Sequence, residues 1–316
     1  MTALTIFTAP KPFSNPNIDM IQRNAIRSWM EMDSQVEVLL VGEETGIAEA
    51  ASDLGARHLP GVATNELGTP LVSSIFELAR RSSDSTILAY VNADILLLPN
   101  FLKVALELRT AAERFLAVGR RWDLAVRQEL DFGPGWETRL QRQVQDAGQL
   151  HPASGSDYFL FPRDCFMKIP PFAIGRAGWD NWMIFAARRQ RWPVVDATSS
   201  LMVIHQEHDY GHLPGGQPHY RLPETDANVR LAGGRRALFS LQDADFRLVS
   251  GQLRPIPRRG QKLLRELETF PIISLKSRPL AELTFAIFHP VKAWGEWRGR
   301  LGYKLQQLGP GKKSQI

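Results

Sequence analysis

The first half of this chain alternates apolar, strand-like segments with amphipathic helical segments, and this alternation restricts the folds open to it. Strands are predicted at "LTIFTA", "VEVLLVG", "ARHLPGV" and "STILAYV". Between them, "NIDMIQRNAIRSWMEM", "GIAEAASDLG" and "TPLVSSIFELARRSS" have apolar residues at helical spacing, and the last is expected to begin at Thr69 and Pro70. Apolar strands separated by helices predict an α/β fold, with a mostly parallel sheet covered by helices on both faces.

The later segments are less regular. A helix capped by Asn100 is predicted in "LLLPNFLKVALELRTAAERF", and another in "WETRLQRQVQDAG". Strands are predicted at "FLAVGRRWDL", at "SDYFLFPRDCF" up to Pro162, and once or twice in "PVVDATSSLMVIHQ". From about residue 225 the pattern is helical and amphipathic. We therefore expect two domains, an α/β domain over residues 1–225 and a basic, mainly helical extension over 226–316.

Composition narrows the class of protein. Hydrophobic residues make up 44% and charged residues 22% of the 316 residues, as in soluble globular proteins. We see no secretory signal in the first twenty residues and no apolar run long enough to span a bilayer. The lone Cys165 allows no internal disulfide and no cysteine zinc cluster, and we expect it to be a core thiol. A cytoplasmic protein that does not bind nucleic acid is expected.

The C-terminal region is locally basic, although the net charge of the whole chain is only +5. Its Lys and Arg residues either contact an anionic partner or are simply solvated. The stretch "LTFAIFHPVKAWGEWRGRLGYK" mixes aromatic with basic residues. It either lies on the inner face of an anionic membrane, as a peripheral contact, or packs against the α/β domain.

The segment "ILAYVNADILLLPN" places Asn92 and Asp94 directly after a strand that reads as buried. An unpaired carboxylate is costly in a core, so Asp94 must be solvated, capped by backbone donors or bound to a cation. Ligands of open α/β sheets bind beyond the carboxyl ends of the strands, where this pair is expected to lie. Two side chains at positions i and i+2 can face one Mg²⁺ or Mn²⁺ ion, which prefer oxygen ligands. The same two residues also fit an ordinary turn.

Two further clusters contain titratable groups. Asp180 lies between two tryptophans in "GRAGWDNWM", at the start of a predicted helix, and fits either a general base or a helix cap. Burial would raise the pKa of its carboxyl and the helix N-terminus would lower it, so the sequence leaves the sign open. His205, His208, His212 and His219 follow a predicted strand, and His205 is best placed as a metal ligand or substrate contact. A zinc site made only of histidines is the competing interpretation.

A last cluster joins "GRRWDL" with "GSDYFLF". Arg120 and Arg121 carry guanidinium groups suited to phosphate, whereas Asp123 and Asp157 are able to accept hydrogen bonds from sugar hydroxyls. Surface ion pairs explain the same residues. The glycine fingerprints of dinucleotide-binding and P-loop proteins are absent, and so is the Gly-x-Ser-x-Gly motif of α/β-hydrolases.

In their order along residues 3–220, these motifs resemble a glycosyltransferase of the GT-A fold. The resemblance lies in "TAPKPF" after the first strand, the "NAD" triplet in place of Asp-x-Asp, the "GWD" segment and the histidine after "LMVI". "TIFTAPKPF" and "GRAGWDNWM" also resemble a poorly characterised bacterial and plant subgroup. The resemblance implies a Rossmann-like mixed sheet and transfer of a sugar from a nucleotide-diphosphate sugar to an acceptor hydroxyl on a carbohydrate or a lipid-linked molecule.

The resemblance also implies a set of site residues. The nucleotide pocket would be lined by Thr8, Ala9, Pro10 and Lys11. Mn²⁺ or Mg²⁺ would be held by Asp94, Asn92 and His205. Arg120, Arg121 and Asp157 would contact the donor, with Asn92 nearby. Asp180 would act as the base of an inverting reaction or, in a retaining enzyme, would orient the sugar. Because the first triplet position is an amide, this metal site would have one negative charge fewer than the Asp-x-Asp pattern.

The sequence leaves two alternative functions open. A glycoside hydrolase would use two carboxylates, and Asp157 with Asp180 are candidates for that pair. A non-catalytic module that binds a nucleotide or a carbohydrate would keep the fold and a weakened metal site, which the amide of Asn92 favours.

Overall fold

The computed structural model describes residues 2–208 and 222–307. It divides into two compact units, Met1–Pro257 and Arg258–Ile316. The strands are β1 Leu4–Thr8, β2 Val36–Val41, β3 Arg57–Leu59, β4 Ile87–Val91, β5 Ile95–Leu96, β6 Leu116–Val118, β7 Arg121–Leu124, β8 Gln149–Leu150, β9 Tyr158–Pro162, β10 Val194–Asp196, β11 Val203–Gln206, β12 Phe246–Val249 and β13 Gln252–Pro255. The helices are α1 Pro16–Met30, α2 Ile47–Leu54, α3 Val72–Ser82, α4 Asn100–Ala111, α5 Trp136–Ala147, α6 Trp179–Arg189, α7 Pro223–Ala232, α8 Gly260–Ile273, α9 Arg278–Phe288 and α10 Pro290–Gln307.

A large sheet forms the centre of the first unit. In the described part of the chain it has nine strands in the order β13-β12-β10-β6-β9-β4-β1-β2-β3. The pairs β1·β2, β1·β4, β2·β3, β6·β10 and β10·β12 are parallel, whereas β9 runs antiparallel to both β4 and β6. The predicted mixed, mostly parallel α/β sheet is therefore confirmed. The carboxyl ends of β1 and β4 meet at one edge, and Asp157, just before β9, lies at the same edge.

A second sheet, which the sequence did not predict, begins where the chain leaves this edge. Its four strands among the described residues have the order β5-β11-β7-β8. The segment "FLAVGRRWDL" is not one strand but two, because the chain leaves the large sheet after Val118 and enters the small one at Arg121. The residues of "PVVDATSSLMVIHQ" likewise form β10 in one sheet and β11 in the other. The small sheet pairs His205 with Ile95 on one side and with Asp123 on the other.

Helix α1 fixes the small sheet to the core. Trp29 is completely buried, and its indole Nε1 donates a hydrogen bond of 2.8 Å to the carbonyl of Ile95. The hydroxyl of buried Ser28 accepts a hydrogen bond of 3.1 Å from the backbone N–H of Leu97. Because removing a buried tryptophan side chain costs about 3–5 kcal/mol of the free energy of unfolding, Trp29 is a strong anchor for the strand that follows Asp94.

Two predicted helix starts are wrong. Helix α3 begins at Val72 with Leu71 as its N-cap, because Pro70 and Leu71 form isolated β-bridges with Thr64 and Ala173 instead. Helix α4 has Pro99 as its N-cap, and Asn100 is the first helical residue. The amide of Asn100 donates to the carbonyl of Ser200 rather than accepting from its own helix.

Residues 226–257, which the sequence assigned to a helical extension, belong to the first unit. They include the hairpin β12–β13, and β12 pairs in parallel with β10 at the end of the large sheet. The hairpin turns at Ser250 and Gly251, both with positive φ (49° and 72°), as a two-residue turn matching the right-handed twist of its strands requires. A Ser-Gly pair between two short alternating segments was the signal for this hairpin.

The second unit is helical, as predicted, and consists of α8, α9 and α10. The hydroxyl of Thr284 on α9 donates to the carbonyl of Glu268 on α8 at 3.1 Å, and the Glu268 carboxylate lies 3.3 Å from the ring of His289. Among the described residues, none of the helices has the length and apolar content needed to cross a membrane.

Candidate metal centre and active site

Asp94 lies in a tight turn at the carboxyl end of β4. The backbone N–H of Ile95 donates to the carbonyl of Asn92 at 3.1 Å, which closes the turn. The carbonyl of Asp94 accepts hydrogen bonds from the backbone and the side-chain amide of Gln206 at 3.1 and 3.3 Å. The contacts with Gln206 use the backbone carbonyl of Asp94, so they hold the residue in place without engaging its carboxylate.

Two histidines of the β11 region face this carboxylate. Asp94 Oδ2 lies 3.0 Å from His208 Nε2 and 3.8 Å from His205 Nε2, and one potential ligand atom from each of the three residues lies within 4.8 Å of the others. The second oxygen, Asp94 Oδ1, is buried and has no hydrogen-bond partner in the part of the chain that the structure describes. A buried, unpaired carboxylate oxygen beside two imidazoles fits a bound metal ion.

The orientation of His205 supports this interpretation. Its Nδ1 lies 3.1 Å from Asp123 Oδ1, and the other oxygen of Asp123 lies 2.7 Å from His151 Nδ1. When Nδ1 donates its proton to Asp123, the lone pair of Nε2 points to the Asp94 side, which is the arrangement found around metal-ligating histidines. Burial alone would raise the pKa of Asp123, but the hydrogen bonds from His151 and Arg121 outweigh it and hold that pKa below its usual value.

The protonation states suit a cation site as well. Burial would raise the pKa of Asp94, but the hydrogen bond from His208 and the nearby charges of His205 and Lys11 keep the pKa of this carboxyl well below its usual range. Burial lowers the pKa of His205, and the charge of Asp94 offsets this only in part. Near neutral pH the pair therefore offers an anionic oxygen and a neutral imidazole.

The residues predicted to line the nucleotide pocket lie at the end of β1, next to this cluster. Thr8 is completely buried, and its hydroxyl has no hydrogen-bond partner among the described residues. Ala9 and buried Pro10 follow, and Lys11 Nζ lies 3.5 Å from His208 Nε2. The backbone of Lys11 is clamped by Gln22, whose side chain both accepts from its N–H and donates to its carbonyl. Burial lowers the pKa of Lys11, and Asp94 offsets part of this effect.

Asn92 is bound to Asp157 through its amide nitrogen. Its Nδ2 donates to Asp157 Oδ1 at 3.1 Å, and its backbone N–H donates to the carbonyl of Asp157 at 2.9 Å. Residues 92–94 form a turn rather than continuing the strand, and the role of Asn92 as a metal ligand stays a prediction. The sequence did not single out His208, which lies in this cluster, although its place three residues after His205 was a usable signal.

The two arginines are engaged in internal contacts. Arg121 donates to Asp123 Oδ1 at 2.8 Å and to Asp157 Oδ1 at 2.7 Å, so it lies between two carboxylates. Arg120 donates to the carbonyls of His151 and Leu150. Donor binding by Arg120, Arg121 and Asp157 stays a prediction. The contacts of Arg120 and Arg121 join strand β7, which carries Asp123, to His151 and Asp157.

Replacing Asn92 with aspartate tests whether this position serves the metal or Asp157. We expect Asn92→Asp to lower the free energy of unfolding by about 1–3 kcal/mol, because it removes a hydrogen bond and sets two carboxylates side by side. Mn²⁺ affinity should not rise. Denaturant unfolding and calorimetric Mn²⁺ titration measure the two effects, and a variant with unchanged stability and tighter Mn²⁺ binding would restore position 92 as a ligand.

Asp180 occupies the first turn of α6. The helix is preceded by Gly178 with φ of 110°, a conformation that favours glycine, and the backbone N–H of Gly178 donates to Asp180 Oδ1 at 3.2 Å. Trp179 packs against the rings of Tyr90 and Phe159 at centroid distances of 5.1 and 5.2 Å, which ties the helix start to β4 and β9.

The sign of the Asp180 pKa shift, which the sequence left open, follows from these surroundings. Burial raises the pKa of this carboxyl, and the negative charge of Asp157 adds to the effect. Hydrogen bonds from the backbone of residues 178–181 act in the opposite direction but are weaker. A carboxylate with a raised pKa is a better proton acceptor than an ordinary aspartate.

Other candidates lie elsewhere. His212 and His219 fall outside the described residues. Cys165 is buried, and burial raises the pKa of its thiol to about 12, as for a core cysteine. A groove of about 1060 Å³ lined by Met32, Leu102, Leu106 and Leu253 lies beside the start of β2, away from the carboxyl edge that bears Asp94. It contains no member of the Asp94 cluster.

Comparison with known proteins gives matches among solved structures alone. No protein-family model matches the chain, and no curated protein sequence does. Similar solved structures include glucosyl-3-phosphoglycerate synthase from Mycobacterium tuberculosis with Mn²⁺, uridine diphosphate and phosphoglyceric acid, which is 13% identical and covers 74% of this chain and 79% of that chain at a TM-score of 0.45. The same enzyme with uridine diphosphate is 14% identical and covers 81% of this chain and 87% of that chain at a TM-score of 0.45.

Proposed function

We propose that the protein is a metal-assisted glycosyltransferase of the GT-A type, which moves a sugar from a nucleotide-diphosphate sugar to an acceptor hydroxyl. The observation that carries this proposal is the cluster of Asp94, His205 and His208 at the carboxyl edge of the sheet, with one buried oxygen of Asp94 unpaired. This edge is where open α/β sheets bind their ligands. The unpaired hydroxyl of Thr8 and the ammonium group of Lys11 border the same place.

Asp94, His205 and His208 would hold the cation, and Asp123 would keep His205 in the right tautomer. Two imidazoles and one carboxylate favour a transition metal such as Mn²⁺ over Mg²⁺, which prefers oxygen ligands. When bound, the ion neutralises negative charge on the diphosphate of the donor. Lys11 would add a second positive charge beside that diphosphate.

Asp180 would serve as the general base. Its carboxylate would take the proton of the acceptor hydroxyl while that oxygen forms a bond to the anomeric carbon of the donor sugar. The bond between the anomeric carbon and the diphosphate oxygen breaks, and the nucleoside diphosphate leaves with the electron pair. Attack from the face opposite the leaving group inverts the configuration, so the expected acceptor product has inverted stereochemistry. The acceptor belongs to the carbohydrate or lipid-linked class.

Calorimetry followed by a turnover assay tests the proposal. The protein is titrated with uridine or guanosine diphosphate in the absence of metal, with Mn²⁺ and with Mg²⁺. We expect nucleotide binding that requires metal, with Mn²⁺ bound at least about tenfold more tightly than Mg²⁺. Nucleoside diphosphate released from a panel of nucleotide sugars, in the presence of carbohydrate and lipid-linked acceptors, then reports transfer. Metal-independent behaviour in both assays would contradict the proposal.

The same assays separate the two alternatives. A glycoside hydrolase would release sugar from a glycoside without a nucleotide donor, through Asp157 and Asp180. A binding module would bind nucleotide with metal but turn over no donor with any acceptor of the panel. The hydrogen bonds from Asn92 and Arg121 to Asp157 disfavour the hydrolase, because they leave that carboxylate committed to internal partners.

A further inference from the structure

The C-terminal unit, residues 258–316, exposes large apolar side chains along its helices. Ile287, Val291, Trp294 and Trp297 have exposed fractions of 67%, 84%, 60% and 53%. The two tryptophan rings stack on each other with centroids 5.1 Å apart, and both remain accessible. Adjacent exposed side chains of this size indicate an interaction surface rather than ordinary surface composition.

The spacing of these residues defines one apolar face on each helix. On α9, Leu283 and Ile287 are four residues apart, whereas Ala281 and Phe285, on a different face, are buried. On α10, Val291, Trp294 and Trp297 recur every three residues. Helix α8 has the same property, with Leu264, Leu267 and Phe270 exposed. The helices are thus amphipathic, with an apolar face open to a partner.

Charge distinguishes between the partners that such a face could bind. Residues 258–316 contain twelve Lys or Arg and four Glu, whereas residues 1–257 contain 26 Lys or Arg and 29 Asp or Glu. Lys276, Arg278, Lys292 and Arg298 of this unit are exposed. A second copy of this unit would bring two strongly positive surfaces together, which repel each other. An anionic lipid surface attracts the basic residues and accepts tryptophan at the level of its headgroups.

We propose that the C-terminal unit docks on an anionic membrane surface, with Trp294 and Trp297 inserted among the lipid headgroups, Arg298 near the acidic phosphates, and the other basic residues of the unit, Lys292 among them, adding long-range attraction. The proposal is independent of the sugar-transfer chemistry, because no residue of the Asp94 cluster belongs to this unit.

Vesicle flotation of the full chain tests the proposal. Vesicles of phosphatidylcholine with phosphatidylglycerol are compared with vesicles of phosphatidylcholine alone. We expect the protein to float with the anionic vesicles, to stay behind with the neutral ones, and to dissociate as the salt concentration rises, because salt screens the attraction of Lys and Arg to the lipid. Equal behaviour with both vesicles at low and high salt would overturn the proposal.

Matched variants locate the surface. Trp294→Ser with Trp297→Ser should weaken binding to anionic vesicles by about tenfold or more. Leu67→Ser with Met167→Ser, which removes two exposed apolar side chains from the first unit, should bind as the unchanged protein does. Circular dichroism checks folding, and Lys292→Glu with Arg298→Glu gives a second test that leaves the tryptophans in place. Unchanged vesicle binding by both C-terminal variants would overturn the proposal. It would also be overturned if the protein bound no vesicle and instead formed a dimer that the tryptophan substitutions dissociate.

Discussion

Replacing Asp94 with alanine is expected to remove Mn²⁺ binding and to lower the rate of sugar transfer by about 10²–10³-fold or more. Asp94 is the one carboxylate of the described cluster, and the two histidines of that cluster offer neither an oxygen ligand nor a negative charge in its place. Without this carboxylate the cation would not be held, and the negative charge that develops on the departing diphosphate would lose its counter-charge. Calorimetric titration with Mn²⁺ and an assay of nucleoside diphosphate release measure the two effects.

The fold should tolerate this substitution. The hydrogen bonds that shape and hold the turn accept at the backbone carbonyls of Asn92 and Asp94, which the substitution retains. Asp84→Ala is a suitable control, because Asp84 is exposed and lies just before the opposite end of the same strand. Circular dichroism should give the same spectrum for the two variants and the unchanged protein. If Asp94→Ala bound Mn²⁺ and transferred sugar like Asp84→Ala, the metal centre would have to lie elsewhere.

The sequence predicted where the Asp94 cluster lies better than it predicted which side chains make up the cluster. A carboxylate immediately after a buried strand must lie at the carboxyl edge of a parallel sheet, and the structure places Asp94 there. The directions of side chains within the turn depend on hydrogen bonds between residues far apart in sequence. The bond from Asn92 to Asp157 spans 65 positions and that from Asn24 to Gln206 spans 182, and neither has a local signal.

Some elements of the fold were likewise predictable from the sequence and others were not. Long apolar strands and helices with regular spacing were predictable, because their patterns are local and repeated. The small sheet was not, since β5 and β8 have two residues each and gain their stability from β11 and β7, which are distant in sequence. That sheet sets His205 opposite Asp123, so the orientation of a proposed metal ligand depends on the least predictable part of the structure.

Asp180→Asn is the second substitution with a large expected effect. The amide keeps the size of the side chain and still accepts the hydrogen bond from Gly178, but it cannot take a proton from an acceptor hydroxyl. We expect kcat to fall by about 10²–10⁴-fold, while Mn²⁺ and nucleotide affinities stay unchanged. In the unchanged protein, kcat/KM should fall on the acid side as Asp180 becomes protonated, at a pH above the usual range of an aspartate because the pKa of Asp180 is raised.

The same raised pKa predicts an effect on stability with the opposite sign from that on activity. A carboxyl whose pKa is higher in the folded than in the unfolded state binds more protons when folded, so its contribution to the free energy of unfolding decreases as pH rises between the two pKa values. Asp180→Asn removes this loss, and the variant should therefore be more stable than the unchanged protein at neutral pH, with the difference disappearing in acid. Asp226→Asn, an exposed first-turn aspartate of α7, provides the control and should change neither activity nor this pH dependence. An Asp180→Asn protein that is inactive but less stable at neutral pH would point instead to a helix cap, whose loss distorts the site.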